Sequence, residues 1–308
     1  MRKMQITAGL GRIEDLPAYQ EAVADALYAG FVPAKWRLFV GEWEPLNRRE
    51  VQFVNVQIGT TSELEILSGM ARARNLPIAI TLNSPFYRPE NLPRVLDAVG
   101  LCCNYGFSTF IVADPVLLVR IRQAFPEAVL HLSGEFGEVN RYTMALARQL
   151  GTSRIILPRR TGIAEIQSLV ERDRADHPGD PLEFEAFAMN ELCHYSGAYC
   201  MSLHCDAFAP ACRRPWRLSH GEMKEQDFPD VPGTSGCGIC SLYSLQQAGV
   251  THLKVVSRGA RTEETIRDIK ALARARDLAA SAETDETYRR LVKSLLFPEG
   301  CSGNCYYR

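Results

Sequence analysis

What most constrains this chain is a repeated alternation of short, almost uninterrupted apolar runs with amphipathic stretches long enough for helices. Residues 78–83 (IAITLN) precede a helical pattern over 90–105, 109–114 (TFIVAD) precede 115–124, 128–135 (AVLHLSGE) precede 139–150, and 154–159 (RIILPR) precede 163–171. Further on, 182–188 (LEFEAFA) lead into a cysteine-rich loop and 252–258 (HLKVVSR) into a helix over 263–278. Runs that are apolar at nearly every position suit strands buried on both faces, and strand–helix alternation suits a parallel sheet. About eight such units in a chain of 308 residues fit a closed (β/α)8 barrel better than an open doubly wound sheet. No Gly-rich phosphate loop follows any strand, which also argues against the open sheet.

The expected fold class is therefore α/β, a single (β/α)8 TIM-barrel-like domain over residues 1–280. A cysteine-rich insertion at 189–240 would lie at the C-terminal face of the strands, and 281–308 would add a helix (283–296) and a tail containing Cys301 and Cys305. The first eighty residues are less regular. A strand is expected at 5–8, then a helical pattern through Tyr19, Val23 and Leu27. Two β-type runs, 36–41 (WRLFVG) and 51–58 (VQFVNVQI), flank a polar turn with Pro45 and Asn47. A capped helix follows, starting at Thr61 or Ser62, with Leu64, Leu67 and Met70 on one face.

A barrel places chemistry in the loops after its strands. The polar residues expected there are Asn83, Asp114, His131, Ser133, Glu135, Arg159, Arg160, Glu185 and Arg258. The arginines suit bidentate binding of a carboxylate, or else they close strand ends by pairing with Glu135 and Glu185. His131 is either an acid or base or a hydrogen-bonded core histidine, and Glu185 would be costly to bury unpaired.

Lys and Arg number 35 against 36 Asp and Glu, a net charge of −1. That balance predicts no strong sequence-independent attraction to nucleic acid or to anionic membranes, and it favours a small-molecule substrate over RNA. The N-terminal MRKMQITAGLGRIEDLP lacks the apolar core of a secretory signal, and no apolar run is long enough to span a bilayer, so a cytoplasmic location is expected.

In that compartment thiols stay reduced, and clustered cysteines read as metal or catalytic groups before disulfides. Of the ten cysteines, Cys102 and Cys103 read as small core residues. Cys193, Cys200, Cys205 and Cys212 crowd into one loop, and Cys237 and Cys240 form a Cys-x-x-Cys pair. Four thiolates drawn from such a region suit a tetrahedral site for zinc or an iron–sulfur cluster. The tail cysteines could cap the mouth, supply a ligand, form a redox pair or stay exposed without a role.

The segments ELCHYSGAYCMSLH, ACRRPWRL and CGICSLYSLQQAGVTHLKVVSR resemble the signature of peptidase family U32, the collagenase-like peptidases. LHLSGEFGEVN and RIILPRRTGIAEI extend the likeness upstream, so that it covers roughly 78–278. The resemblance implies a barrel-like fold and, as in several members, a [4Fe–4S] cluster. Matched one by one, its ligands are Cys193, Cys200, Cys212 and Cys240, with Cys205 and Cys237 as alternates. The better understood cluster-bearing members resemble oxygen-independent hydroxylation systems that act on ubiquinone precursors or RNA bases and take oxygen from prephenate. There are departures. Met189, Asn190 and Glu191 stand where the family has His-Gly, Arg159-Arg160 where it has Arg-Glu, and Val256 where it has Glu.

The expectation is thus an iron–sulfur enzyme, an oxygen-independent hydroxylase or its partner subunit, acting on a small aromatic or quinone-precursor substrate with prephenate as co-substrate. Catalytic roles fall to His131, Glu185, Arg159 and Arg258, and a hetero-oligomer with a second U32-like subunit is the expected assembly. The alternatives are a U32-type peptidase, which no His-Glu-x-x-His or Gly-x-Ser-x-Gly motif supports, and a non-catalytic iron–sulfur scaffold or electron-transfer subunit.

Overall fold

The computed structural model describes residues 3–40, 44–48, 57–193, 200, 216–219, 221, 226–228 and 236–307. Eight parallel strands close into a barrel: β1 (Gln5–Leu10), β2 (Ala26–Ala29), β3 (Ile78–Leu82), β4 (Thr109–Val112), β5 (Val129–Leu132), β6 (Thr152–Ile156), β7 (Glu183–Met189) and β10 (His252–Val255). Sequential strands are neighbours from β1 through β7, and β10 closes the ring between β7 and β1. A small antiparallel pair, β8 (Trp216–Leu218) with β9 (Gln226–Phe228), lies in the cysteine-rich insertion.

The strands form where the apolar runs predict them, because each is enclosed on both sides. All five residues of β3 and the five central residues of β7 are buried. The helices are α1 (Leu16–Glu21), α2 (Ala34–Val40), α3 (Thr61–Ala73), α4 (Leu92–Asn104), α5 (Pro115–Ala124), α6 (Arg141–Gln149), α7 (Ile163–Asp176), α8 (Leu242–Gln247), α9 (Thr262–Ser281) and α10 (Asp285–Leu296). Their starts are chemically marked. Thr60 and Glu63 form a reciprocal capping box at α3, and Asp114 accepts the Val116 and Leu117 amides ahead of Pro115 at α5. Asp114 thereby serves the fold, and it also accepts the Tyr87 amide at 2.9 Å.

Two expectations for the first eighty residues are corrected. The run 36–41 is not a strand: residues through Val40 form α2, which follows Pro33. Period-2 alternation would bury Trp36 and Leu38 together, yet Trp36 is 3% exposed and Leu38 83%. Nor does the first helix continue through Leu27. It ends at Glu21, Val23 sits in the left-handed region at φ 76°, and Leu27 lies in β2. Most of the expected run 51–58 lies outside the described residues; Ile58 makes a parallel bridge with Phe31 beyond β2.

The barrel interior carries charge as well as apolar packing. Glu185 of β7, fully buried, accepts Lys254 Nζ of β10 at 2.7 Å and Arg154 Nη1 of β6 at 3.1 Å. Arg154 also meets His252 Nε2 at 2.8 Å and Glu183 at 2.8 Å. No helix among the described residues is long and apolar enough to cross a membrane.

Candidate functional site at the barrel mouth

A cavity opens at the C-terminal ends of the strands, where this architecture puts its chemistry. Its wall takes Tyr28 from β2, Thr81 and Asn83 from the end of β3, Ser133, Gly134 and Glu135 after β5, Arg159 after β6, Phe187 and Glu191 from the end of β7, and Lys254, Val256 and Arg258 from β10 onward. Arg48 closes it from the loop after α2. Four cations, Arg48, Arg159, Lys254 and Arg258, face two carboxylates, Glu135 and Glu191.

The cations are held in different ways. Arg48 Nε donates to Glu135 at 3.0 Å, its backbone amide donates to Asn83 Oδ1 at 3.1 Å, and its Nη2 donates to the Cys200 carbonyl at 2.7 Å. Arg258 is 4% exposed. Its Nη1 donates to Asn47 Oδ1 at 3.1 Å and to Thr81 Oγ1 at 3.2 Å, and burial pushes its pKa down. Arg159 lies over the Phe187 ring, 3.8 Å from its centre, and reaches Glu135 only at 3.9 Å. Lys254 Nζ lies 3.8 Å from the centre of the Tyr28 ring. Strand-end pairing with Glu135 and Glu185 therefore describes Arg159 loosely, and Arg258 feels Glu135 without a direct bond to it among those described. Those carboxylates are taken mainly by Arg48, Lys254 and Arg154.

Of the residues expected to be catalytic, Arg159 and Arg258 line the cavity, whereas His131 and Glu185 belong to the charged interior network. His131 is buried, its Nδ1 has no hydrogen-bond partner, and burial, then Arg154, pushes its pKa well below the usual histidine range. Burial would raise the Glu185 carboxyl, but Lys254 and then Arg154 outweigh it and hold it at about 2. Asn83 and Ser133 line the wall. Arg48, Tyr28 and Lys254 complete it without having been expected as site residues. Lys254 shares the HLKVVSR run with Arg258, and the family's Lys-x-Glu-Gly-Arg strand, of which the chain retains Lys254 and Arg258, was the available signal.

The chain leaves β7 through two left-handed residues, Asn190 (φ 67°) and Glu191 (φ 58°), at the positions where the family resemblance led one to expect His-Gly. Two consecutive non-glycine residues in that region store strain next to the cavity. Asn190 is fixed there by its side-chain bond to Asp268 at 2.7 Å and its amide bond to the Gly236 carbonyl at 2.7 Å.

Cys193, Cys200 and Cys240 all lie on the C-terminal side of β7; Cys212 and Cys205 lie outside the described residues. Cys200 is buried against Arg48, whereas Cys193 and Cys240 are half-buried. Cys240 sits in the short turn Ile239–Ser241 ahead of α8, with Lys293 and Arg289 of α10 nearby. Among the described residues no three His, Cys, Asp or Glu side chains converge so as to hold a metal ion. The described cysteines therefore do not by themselves close a ligand set.

The tail docks at the exit of β7. The Cys237 amide donates to the Asn304 carbonyl at 2.9 Å, and the Tyr306 amide donates to the Cys237 carbonyl at 3.0 Å. Tyr307 donates its hydroxyl to the Phe187 carbonyl at 2.9 Å, and the Tyr306 hydroxyl donates to the Asn190 carbonyl. The tail thereby brings Cys301 and Cys305 toward Cys237 and Cys240; burial, with these thiols adding to it, pushes Cys237 up to about 11.

A family model described as peptidase family U32 matches residues 11–299. The tRNA hydroxylation protein P of Escherichia coli (strain K12) is 26% identical over 239 residues, 75% of this chain and 47% of that protein. The tRNA hydroxylation protein P1 of Bacillus subtilis (strain 168) is 24% identical over 251 residues, 80% of this chain and 52% of that protein. The chain thus spans about half the length of these curated relatives. The solved structure of the U32 peptidase Mk0906 aligns with a TM-score of 0.50 at 11% identity, covering 83% of this chain and 94% of that one, which is a likeness of fold.

Proposed function

Because the chain belongs to peptidase family U32, we propose that it serves oxygen-independent hydroxylation, with the cationic cavity receiving a carboxylate-bearing co-substrate and a tRNA base as acceptor. The observation that carries this reading is the cationic character of the cavity wall among the described residues: Arg48, Arg159 and Arg258, with Lys254 paired to Glu185 at its edge, against Glu135 and Glu191. Guanidinium groups bind carboxylates through paired hydrogen bonds, and a water-poor wall strengthens the attraction. Prephenate, the oxygen donor implied by the family resemblance, carries two carboxylates and suits such a wall.

The acceptor is taken from the relatives, both of which are named for tRNA hydroxylation. It replaces the quinone precursor. A net charge of −1 bears on sequence-independent attraction to nucleic acid and not on the recognition of a single base.

The residues of the chain have separable tasks in this scheme. Arg159 and Arg258 orient the co-substrate's carboxylates, the Phe187 and Tyr28 rings wall the cavity against water, and the Glu185 network holds Lys254 at its edge. The [4Fe–4S] cluster on Cys193, Cys200, Cys212 and Cys240 belongs to the proposal as the source of single electrons when bound. For the peptidase alternative, no nucleophile–base pair is found among the described residues that line the mouth cavity; the one hydroxyl–histidine contact, Thr251 with His252 at 2.8 Å, lies at the start of β10 outside that lining. His131 Nδ1 has no partner, and the His252 ring is engaged by Arg154, Thr251 and Gln5.

The test is an oxygen-free incubation of the purified chain with unmodified tRNA, with and without prephenate, read by nucleoside mass spectrometry. Hydroxylated nucleoside formed only with prephenate is expected; hydroxylation indifferent to prephenate, or peptide cleavage in its place, would overturn the reading. Iron and sulfide contents of the four Cys→Ala variants test the cluster separately.

A further inference from the structure

We propose that Lys254 is an imine-forming amine and that the cavity's ligand is accordingly a 2-oxo carboxylate, held by its carboxylate at the guanidinium groups and by its carbonyl carbon at Lys254 Nζ. The proposal deepens the reading above and rests on it only for the cavity being the co-substrate's place.

The bland account of Lys254 is a structural ion pair with Glu185, and three observations go beyond it. First, Arg154 reaches Glu185 at 3.1 Å but has its shorter bond, 2.8 Å, to the half-exposed Glu183, which leaves Lys254 and Glu185 as the most deeply buried pair of the network. A buried ion pair is weak evidence of a purely stabilising role. Second, Lys254 and not Glu185 borders the cavity: Lys254 lines the wall with a side-chain exposure of 8%, whereas that of Glu185 is 0%. A ligand entering from the mouth therefore meets the lysine before the carboxylate. Third, Lys254 Nζ and the Arg258 guanidinium share one aromatic neighbour, lying 3.8 and 5.7 Å from the centre of the Tyr28 ring. An amine next to a carboxylate-binding guanidinium matches the adjacent carbonyl and carboxylate of a 2-oxo acid.

The electrostatics agree. Burial lowers the lysine's pKa, Glu185 pushes it back up, and Arg154 and Arg258 lower it again. Lysines made nucleophilic in proteins are typically desolvated or set beside another cation, and Lys254 is both.

The step balances without a redox partner. The ammonium form of Lys254 and the 2-oxo carboxylate give a protonated imine and one water. The N–C bond forms, the carbonyl C–O bond breaks, and the oxygen leaves with two of the three ammonium hydrogens. Nothing is oxidised or reduced. Nζ attacks as the neutral amine once one ammonium proton has passed to the carbonyl oxygen, a second proton from nitrogen completes the departing water, and the nitrogen is cationic again in the protonated imine, so Glu185 faces a cation before and after the step while Arg258 and Arg159 retain the carboxylate.

Borohydride trapping tests the proposal on the unaltered protein. The chain is incubated with pyruvate or phenylpyruvate, reduced, digested and mapped by mass spectrometry. The peptide bearing Lys254 should gain the mass of the acid less one oxygen atom, with no gain when lactate replaces pyruvate. Lys254→Arg, which preserves the charge opposite Glu185, should abolish the label while leaving the thermal midpoint close to that of the unaltered chain. Labelling of surface lysines alone, or of none, overturns the proposal, as does equal labelling in the Arg variant. If both acids bind in a calorimetric titration and no label forms, the imine fails while the carboxylate-binding reading stands. If neither binds nor labels, both fail.

Discussion

Arg48 Nη2 donates to the carbonyl oxygen of Cys200 at 2.7 Å, and this bond ties the cysteine-rich segment to the wall of the mouth cavity. The same guanidinium holds Glu135, so one side chain bridges a catalytic-face loop and a predicted cluster ligand.

Arg48→Ala should therefore release Cys200, which is 7% exposed. Losing a hydrogen bond from a charged donor costs about 1.5–3 kcal/mol, so alkylation of the Cys200 thiol should accelerate by about tenfold or more. Peptide-resolved alkylation rates read this directly. An unchanged Cys200 rate in the variant would show that the bond does not hold the segment.

The Glu185–Lys254 pair carries a pH signature. Burial would raise the Glu185 carboxyl, yet Lys254 and Arg154 hold it at about 2. A carboxyl lowered on folding adds stability above its unfolded value and loses it as the pH falls through the folded one. Its contribution should be complete above the ordinary glutamate value of about 4.3 and fade toward about 2. Glu185→Gln should cost about 3–5 kcal/mol at neutral pH, because it leaves buried cations uncompensated. It should also flatten the acid limb in denaturant titrations taken between those two pH values. A Gln variant with an unaltered acid limb would place the pH dependence elsewhere.

Tail docking depends on a glycine. At Gly236 a side-chain carbon would collide with the Tyr306 ring, which lies against the β7 exit. Gly236→Ala should lift residues 301–307 from the mouth and expose Cys237, whose thiol burial pushes up to about 11. Iodoacetamide should modify the exposed Cys301 first in the unaltered chain and leave Cys237 and the buried Cys102 slow. In Gly236→Ala, Cys237 should join the fast group while Cys102 stays slow. If Cys237 remains slow in the variant, the tail is not what covers it.

The barrel was legible at β1 and from β3 onward because those strands lie in largely apolar runs, most of them with a helix directly behind. β2 was not, since its four residues, ALYA, continue the apolar spacing of Tyr19 and Val23, and only the left-handed turn at Val23 separates strand from helix. The run 36–41 misled in the opposite way. Its aromatic and β-branched content favours a strand, while Pro33 and the packing of Trp36 impose a helix. In the site, Arg159 and Arg258 were legible as charged residues at strand ends. Arg48 was not, because a cation in a polar loop looks like surface until the fold turns it onto Glu135. His131 and Glu185 were rightly singled out as unusual, but a sequence does not say whether a strand residue near the mouth faces the cavity or the charged layer beneath it.

The central claim is that the cationic cavity binds a carboxylate co-substrate, and calorimetric titration of the oxygen-free protein with prephenate tests it most directly. Each charged hydrogen-bonding partner is worth about 1.5–3 kcal/mol, so Arg258→Met and Arg159→Met should each weaken binding by about tenfold or more in protein that remains folded at the temperature of the titration. Prephenate binding of equal affinity in both variants, or no binding to the unaltered chain, would contradict the account.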